Sequence, residues 1–418
     1  MPFTPTEIVG LLALGSALGL AARACLVWGG ARAEDDRRLR ARLQIFQGQV
    51  GDLLTRAHAL RRSERARWKG WRDLVITRIV EEGPDVRSFH LKARDGRPLA
   101  PFEPGQFLTF RLHVAGADKP LVRCYSLSGD PGELGEYRVS VKRLSGREGG
   151  PDGVGSSHFH GLSEGDLIEA KSPSGHFFLD RRSRRPVVLV GGGIGITPVL
   201  SMAKALVRRP DAPECWLFVG NRDRRGKLFA EELEALKAAG VKVVLCHSQP
   251  EADERPGLDH DEAGRVSLDL LRRLLPDERR RFHLCGPPAM MADLVAGLEA
   301  WGVADSDILY EAFGPATVKR ASESTSSAGR AETETAEVVF AKSGKTRQWT
   351  SAAGSLLDLA EAAGIALEAG CRAGNCGTCA IPLVEGEVSY LSPPGEPPEE
   401  GSCLPCVCVP QGRVVVQS

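Results

Sequence analysis

The spacing of apolar and polar positions changes character several times along the chain. Residues 8–28 are apolar or small apart from Arg23. At about 1.5 Å per residue, a helix over this stretch reaches across a hydrocarbon core. Leu39, Leu43, Phe46, Val50, Leu53, Ala57 and Leu60 then recur at alternating intervals of four and three, the stripe of an amphipathic helix within 31–70. From 71 to 180 the period drops to two, with short runs at 74–80, 87–92, 107–114 and 137–143. Turns such as Pro104-Gly105 and Asp130-Pro131-Gly132 separate them, which predicts a small antiparallel barrel. From 181 to 316, continuous apolar runs at 187–190, 215–219, 241–246 and 281–284 alternate with helical patterns. That texture predicts buried parallel strands in an open α/β sheet. Residues 317–336 are Ser, Thr, Glu and Ala with almost no apolar bulk and read as a flexible linker to a last domain at 337–418.

Composition narrows the functional classes. The chain has 418 residues, with 54 basic and 54 acidic side chains and therefore no basic excess, so nucleic acid is not an expected partner. At 42% hydrophobic it can build several cores, which excludes global disorder. With a single long apolar stretch it is not a polytopic membrane protein. Residues 1–7 hold one acid and no base, unlike the start of a signal peptide. Arg32, Arg37, Arg38, Arg40 and Arg42 follow the apolar stretch. The positive-inside rule then predicts a single-pass anchor (1–30) in the inner, cytoplasmic membrane, with the remaining domains in the cytoplasm. Gly48 and Gly51 weaken the next stripe as a free-standing coiled coil. Three readings stand: a homodimer through residues 39–60, a helix lying on anionic membrane lipid beside Arg61, Arg62, Arg65, Arg67, Trp68 and Trp71, or an ordinary stalk.

The cysteines add chemistry. Of 11, six crowd the C-terminal end: Cys371, Cys376, Cys379, Cys403, Cys406 and Cys408. An odd total clustered at one end points to a metal site in a reducing compartment, not to a secreted disulfide framework. Cys371, Cys376 and Cys379 have the C-x4-C-x2-C spacing of plant-type [2Fe–2S] sites, where four thiolates hold two irons. Gly370, Gly374 and Gly377 allow backbone N–H groups to approach the sulfurs. Zinc is the alternative occupant of such a set. Cys406 follows Leu404-Pro405 and precedes a Val-rich terminal strand, as the fourth ligand of plant-type ferredoxins does; Cys403 and Cys408 are the other candidates.

Arg123-Cys124-Tyr125-Ser126-Leu127-Ser128, at the end of a predicted strand, resembles the R-x-Y-S flavin signature of the ferredoxin–NADP reductase superfamily. The likeness is greatest to the reductase part of flavohaemoglobins. It implies that Arg123 binds the FAD pyrophosphate and that Tyr125 and Ser126 contact the isoalloxazine and ribityl groups. A guanidinium fork suits phosphate oxygens and a phenol can stack on a flavin. Val139-Ser140-Val141-Lys142 resembles the next flavin-contacting strand, and Gly153-Val154-Gly155-Ser156 with Ser157 resembles the family's phosphate-capping G-x-x-S loop. In Gly191-Gly192-Gly193-Ile194-Gly195-Ile196-Thr197-Pro198, Gly192, Gly193 and Gly195 would let a nucleotide pyrophosphate approach the backbone. Thr197 suits a helix N-cap there and Pro198 the first helical position. Cys285-Gly286-Pro287-Pro288 resembles the family's nicotinamide-flanking C-G-P-P, although Cys285 also reads as a small buried apolar residue. In Glu311-Ala312-Phe313-Gly314-Pro315 the resemblance gives Phe313 the role of covering one flavin face and Glu311 a polar role near the reactive flavin nitrogen. Ser126, Cys285, Glu311 and Phe313 are thus the expected catalytic set. Past the strand at 215–219, Arg222 with Arg224 and Arg225 suits a 2′-phosphate while Asp223 suits a free ribose hydroxyl, so NADH and NADPH both stand.

The resemblance covers about residues 70–316 and 337–418, and nothing comparable covers 1–69. It implies a β-grasp fold for the last domain. The order flavin, nucleotide, ferredoxin is that of oxygenase reductases of the phthalate dioxygenase type. The implied route is NAD(P)H to FAD to [2Fe–2S] to a partner oxygenase, demethylase, hydroxylase or desaturase, and the expected anchor favours a membrane-bound one. The linker would let the ferredoxin domain dock at the flavin and then swing away. Two other readings remain: a dehydrogenase delivering electrons to quinone, and a membrane-tethered redox relay.

Overall fold

The computed structural model describes residues 66–418 apart from 118, 147–151, 312, 314–334, 373, 375, 392–393 and 395–397, together with 16 and 18–20. All of the predicted membrane span but residues 16 and 18–20, the 39–60 stripe and nearly all of the linker fall outside the described residues. Ser16 and residues 18–20 are helical. Among the described residues no helix is long and apolar enough to cross a membrane.

The period-two segments pair into one antiparallel sheet of six strands. These are β1 (Arg72–Gly83), β2 (Val86–Ala93), β3 (Phe107–Leu112), β4 (Leu121–Ser126), β5 (Tyr137–Lys142) and β6 (Leu167–Ala170), in the order β4-β3-β6-β1-β2-β5. The outer strands meet where Leu127 bridges Val139 and the Ser128 amide donates to the Arg138 carbonyl at 2.9 Å, which closes the barrel. Alternate positions such as Leu74, Ile76, Phe89, Leu91, Leu108 and Phe110 fill the interior. The short helix α1 (Val154–His160) adds Phe159, edge-on to Phe89 at 5.2 Å and to Phe110 at 5.1 Å.

The continuous apolar runs form a parallel sheet of β7 (Val187–Gly192), β8 (Cys215–Asn221), β9 (Lys242–His247), β10 (Glu262–Ala263), β11 (Arg281–Cys285) and β12 (Ile308–Glu311), in the order β10-β9-β8-β7-β11-β12. These runs are unbroken because both faces are covered. Val187 and Leu189 pack into one core and Val188 and Val190 into another. Helices α2 (Ile196–Val207), α3 (Ala230–Ala238), α4 (Leu268–Leu274) and α5 (Pro288–Ala300) supply the two covering layers. Strand order reverses between β7 and β11, the place where open α/β sheets leave a ligand crevice. One boundary differs from expectation. Helix α2 begins at Ile196, after a 3-10 turn at Gly193–Gly195, so Thr197 is its second residue and not its cap. The Thr197 hydroxyl instead donates back to the Ile194 carbonyl at 3.0 Å. Pro198 falls third, still within the first turn, where a missing N–H costs nothing.

The last domain is a β-grasp sheet of β13 (Thr335–Phe340), β14 (Lys345–Thr350), β15 (Ile381–Tyr390), β16 (Ser402–Cys403) and β17 (Cys408–Val416), in the order β14-β13-β17-β15-β16. Helix α6 (Leu356–Ala362) is started by a capping box between Ser355 and Asp358 and buries Leu356, Leu359 and Ala360. Strand β13 begins at Thr335, so the last two residues of the predicted linker are already paired with β14.

Candidate functional site

The seam of the barrel gathers the flavin-type residues. Gly155 of α1 lies against β4: a Cβ there would stand 3.0 Å from Arg123 Cγ and 3.3 Å from the Tyr125 hydroxyl. The absence of a side chain at Gly155 therefore lets the glycine loop close over both. Tyr125 stacks edge-on to Phe159 at 4.7 Å, and burial pushes its phenol up to about 12, so it stays a neutral donor. Arg123 is half-buried; its Nη1 donates to the Val122 carbonyl at 2.8 Å, and it makes no ion pair among the described residues. The Ser156 hydroxyl is engaged within the loop, donating to the Gly153 carbonyl at 2.9 Å and accepting the Leu144 amide at 3.1 Å. The Ser157 hydroxyl is buried without a partner, an orphan that a phosphate oxygen would satisfy. The Val139 and Val141 side chains are wholly inside the barrel core, which alternation on β5 enforces and which leaves only their backbone for a cofactor. Lys142 at the strand end is exposed.

At the switch point, backbones touch. A Cβ on Gly195 would stand 2.4 Å from the Cys285 carbonyl oxygen, and one on Gly192 would stand 2.7 Å from Pro287 Cδ. Gly286 in turn faces the Gly192 Cα at 3.1 Å from its own absent Cβ, and Gly193 has a left-handed φ of 54°. These glycines form a shallow cradle that any side chain would fill. Cys285 pairs in register with Glu311 on β12 and Gly191 on β7. It is wholly buried, and burial holds its thiol well above the usual range. Glu311 is buried too, and burial pushes its carboxyl up to about 8 against a weak opposing contact from the Ser126 hydroxyl at 3.5 Å. Ser126, Cys285 and Glu311 thus converge from two domains. Phe313, two residues on, is 41% exposed. In the loop after β8, the Asp223 carboxylate accepts the Arg225 amide at 2.9 Å. Arg224 pairs with Asp253 at 2.6 Å and Arg225 with Glu251. Arg222 is exposed and makes no ion pair among the described residues.

The thiols converge as their spacing requires. Cys379 and Cys406 have their sulfurs 3.2 Å apart, and the Cys371 amide donates to Cys376 Sγ at 3.3 Å. Cys403 and Cys408 are wholly buried in the β-grasp core as free thiols hydrogen-bonded to each other, which leaves Cys406 as the partner of Cys379. A Cβ on Gly370 would stand 2.8 Å from Cys376 Sγ, and one on Gly374 would stand 2.9 Å from Val407 Cγ2. Hydrogen bonds from Cys124 and Cys371 pull the Cys376 thiol far below its usual range. Four thiols and a glycine cradle fit a [2Fe–2S] cluster.

One residue escaped the sequence reading. Cys124, between Arg123 and Tyr125, lies within hydrogen-bonding reach of the Cys371 and Cys376 sulfurs and 3.4 Å from Thr109 Oγ1. Beside it, the absent Cβ of Gly370 would stand 3.3 Å from Val122 Cγ1. The loop carrying the cluster cysteines therefore rests on the strand carrying Arg123 and Tyr125. Alternation along β4 was the available signal, since it turns Cys124 away from its two neighbours.

Comparison with known proteins agrees with this geometry. The family described as oxidoreductase FAD-binding domain matches residues 73–179, the oxidoreductase NAD-binding domain matches 189–296, and the 2Fe-2S iron-sulfur cluster binding domain matches 340–411. A flavohemoprotein of Bordetella pertussis is 36% identical over 276 residues, 64% of this chain and 67% of that protein. The chain belongs to the ferredoxin–NADP reductase superfamily. This reductase is also 34% identical over 253 residues to a flavohemoprotein of Bacillus cereus, and spans 62% of that relative's length. Phthalate dioxygenase reductase is similar over 84% of this chain and 98% of its own, at 27% identity and a TM-score of 0.52. The FAD/NAD-binding domain of nitric oxide dioxygenase from Vibrio cholerae is similar over 58% of this chain and 99% of its own, at 32% identity and a TM-score of 0.51. A self-sufficient cytochrome P450 monooxygenase, 24% identical with a TM-score of 0.58, shares the fold over 83% of this chain.

Proposed function

We propose that this reductase draws electrons from NAD(P)H and delivers them to a separate oxygenase, hydroxylase or desaturase. The observation that carries the reading is the contact of the cluster loop with β4, through Gly370 on Val122 and Cys124 on the sulfurs of Cys371 and Cys376. When bound, FAD accepts two electrons together from reduced nicotinamide and releases them singly, and a [2Fe–2S] cluster carries one at a time.

The protein supplies position and electrostatics around that chemistry. Arg123 and Ser157 would hold the FAD pyrophosphate, and Tyr125 would pack on the flavin with Ser126 beside it. Gly192, Gly193 and Gly195 would admit the nucleotide pyrophosphate, with Gly286 and Pro287 walling the nicotinamide and Phe313 covering the flavin until it arrives. Arg222, without an ion pair among the described residues, would meet a 2′-phosphate. Cys371, Cys376, Cys379 and Cys406 would hold the irons. Domain content like that of phthalate dioxygenase reductase, similar over 98% of its length, supports an oxygenase partner. The apolar stretch at 8–28 and the arginines after it support a membrane anchor with a cytoplasmic reductase, and hence a membrane-bound acceptor.

The test is anaerobic addition of NADH, then NADPH, to the full chain in mild detergent. Flavin bleaching followed by a rhombic [2Fe–2S] signal at low temperature is expected with one of the two. Bleached flavin with no such signal, where dithionite does produce it, would sever the proposed route at the contact between β4 and the cluster loop.

A further inference from the structure

A second constellation lies apart from these sites. His247 is the last residue of β9 and stands in register with Asn221, the last residue of β8. Glu254 and His260 come from the irregular segment between β9 and β10. All three are buried, with side chains 0%, 0% and 2% exposed. His247 Nδ1 is 2.5 Å from Glu254 Oε2, His260 Nδ1 is 3.4 Å from the same oxygen, and one ligand atom from each of the three residues lies within 4.8 Å of the other two.

We propose that His247, Glu254 and His260 form a divalent-cation site of the zinc class, which braces the loop beside the nucleotide crevice.

Charge is the first argument. Glu254 Oε1 already accepts the backbone amides of Arg224 at 2.9 Å and Glu251 at 3.1 Å, an arrangement suited to a carboxylate. No Lys or Arg side chain reaches this carboxylate among the described residues; the two imidazoles are its only ion-pair partners there, and a buried anion held by neutral imidazoles alone is costly. The second argument is the orphaned His260 Nδ1, buried without a hydrogen-bond partner although it faces Glu254 Oε2. An ion seated between the two imidazoles and the carboxylate would satisfy both at once.

The donor set is also right. Two imidazole nitrogens and one carboxylate oxygen are ligands of zinc, with a water completing four. Tetrahedral bonds of about 2.0–2.1 Å put neighbouring ligand atoms about 3.3 Å apart. The 3.4 Å separation of His260 and Glu254 meets this, while the 2.5 Å separation of His247 and Glu254 would open by less than about 1 Å. Through the Arg224 amide, Glu254 also holds the loop that carries Arg222 and Arg225. Occupancy would therefore stiffen the edge where the nucleotide's ribose is expected.

The experiment uses the full chain with its iron and flavin loaded, dialysed against zinc and then against buffer. Elemental analysis should find about one zinc per chain beyond the irons. X-ray absorption at the zinc edge should show nitrogen and oxygen neighbours at about 2.0 Å and no sulfur at about 2.3 Å. His260→Phe and Glu254→Gln should each lose the zinc, keep iron and flavin, and raise the KM for the nucleotide several-fold. No retained zinc, sulfur in its shell, or zinc retained by both variants would overturn the site. If the variants fail to fold, the wild-type zinc content and absorption edge decide alone. Iron and flavin contents report on the electron route separately, so failure of one assignment is distinguishable from failure of the other.

Discussion

Burying a carboxyl with no cation beside it favours its protonated form, and among the described residues Glu311 at the end of β12 is in that position, with its titration pushed up to about 8. Because this folded value lies above the ordinary carboxyl value, the native protein keeps a proton that the unfolded chain releases. Stability from this group is therefore whole below about pH 4.5 and is lost as pH rises towards 8, at up to about 1.4 kcal/mol per pH unit. Glu311→Gln should be free of that slope, so its melting temperature should gain on the wild type between about pH 5 and about pH 8. Parallel slopes would mean the carboxyl is ionised throughout. Cys124 makes the other prediction at this scale. Removing its thiol in Cys124→Ala withdraws a hydrogen bond from the cluster sulfurs, which should lower the cluster potential. One such bond, about 1 kcal/mol, corresponds to about 40 mV for a single electron. A redox titration followed by EPR checks this, and NAD(P)H–ferricyanide turnover should stay unchanged. Motif spacing made Arg123, Tyr125 and the cluster cysteines legible, because each chemistry needs its residue types a fixed number of positions apart. The neighbours of Cys124, and the meeting of His247 with His260, were not, because irregular loops and domain docking leave no period in the sequence.

Among elements, the turn from β7 into α2 is the most constrained. The Gly195 backbone approaches Cys285 so closely that a methyl group would stand 2.4 Å from a carbonyl oxygen. Gly195→Ala should cost about 1–3 kcal/mol through overpacking. It should also wedge β7 from β11, raising the KM for the nucleotide while flavin content holds, as thermal melts and steady-state kinetics would report. An unchanged KM would place the nucleotide elsewhere. Period-two and continuous apolar runs found four strands of each larger domain to within a few residues, since burial on one face or two writes a different pattern, but the short strands β6, β10 and β12 left no such run. The pattern was less informative where a strand serves two masters. Val139 and Val141 satisfied a flavin motif by position, yet the same alternation sends their side chains into the barrel core. Thr197 looked like a cap until the 3-10 turn before it began the helix earlier.

For the whole molecule, separable domains imply separable activities. Cys376→Ser should abolish delivery of electrons to a protein acceptor while NAD(P)H–ferricyanide activity through the flavin survives within about twofold, because neither β4 nor the nucleotide sheet supplies a cluster ligand. Loss of both activities together would make the domains one cooperative unit. The contact between Gly370 and Val122 has a kinetic corollary. Donor strand and acceptor loop belong to one polypeptide, so filling the cluster is a first-order event whose rate does not change on dilution. Discharge to a separate protein is second-order and slows in proportion. A dilute reductase should therefore rest fully charged, waiting on collisions, and tethering it close to its acceptor would speed turnover by raising the local concentration alone.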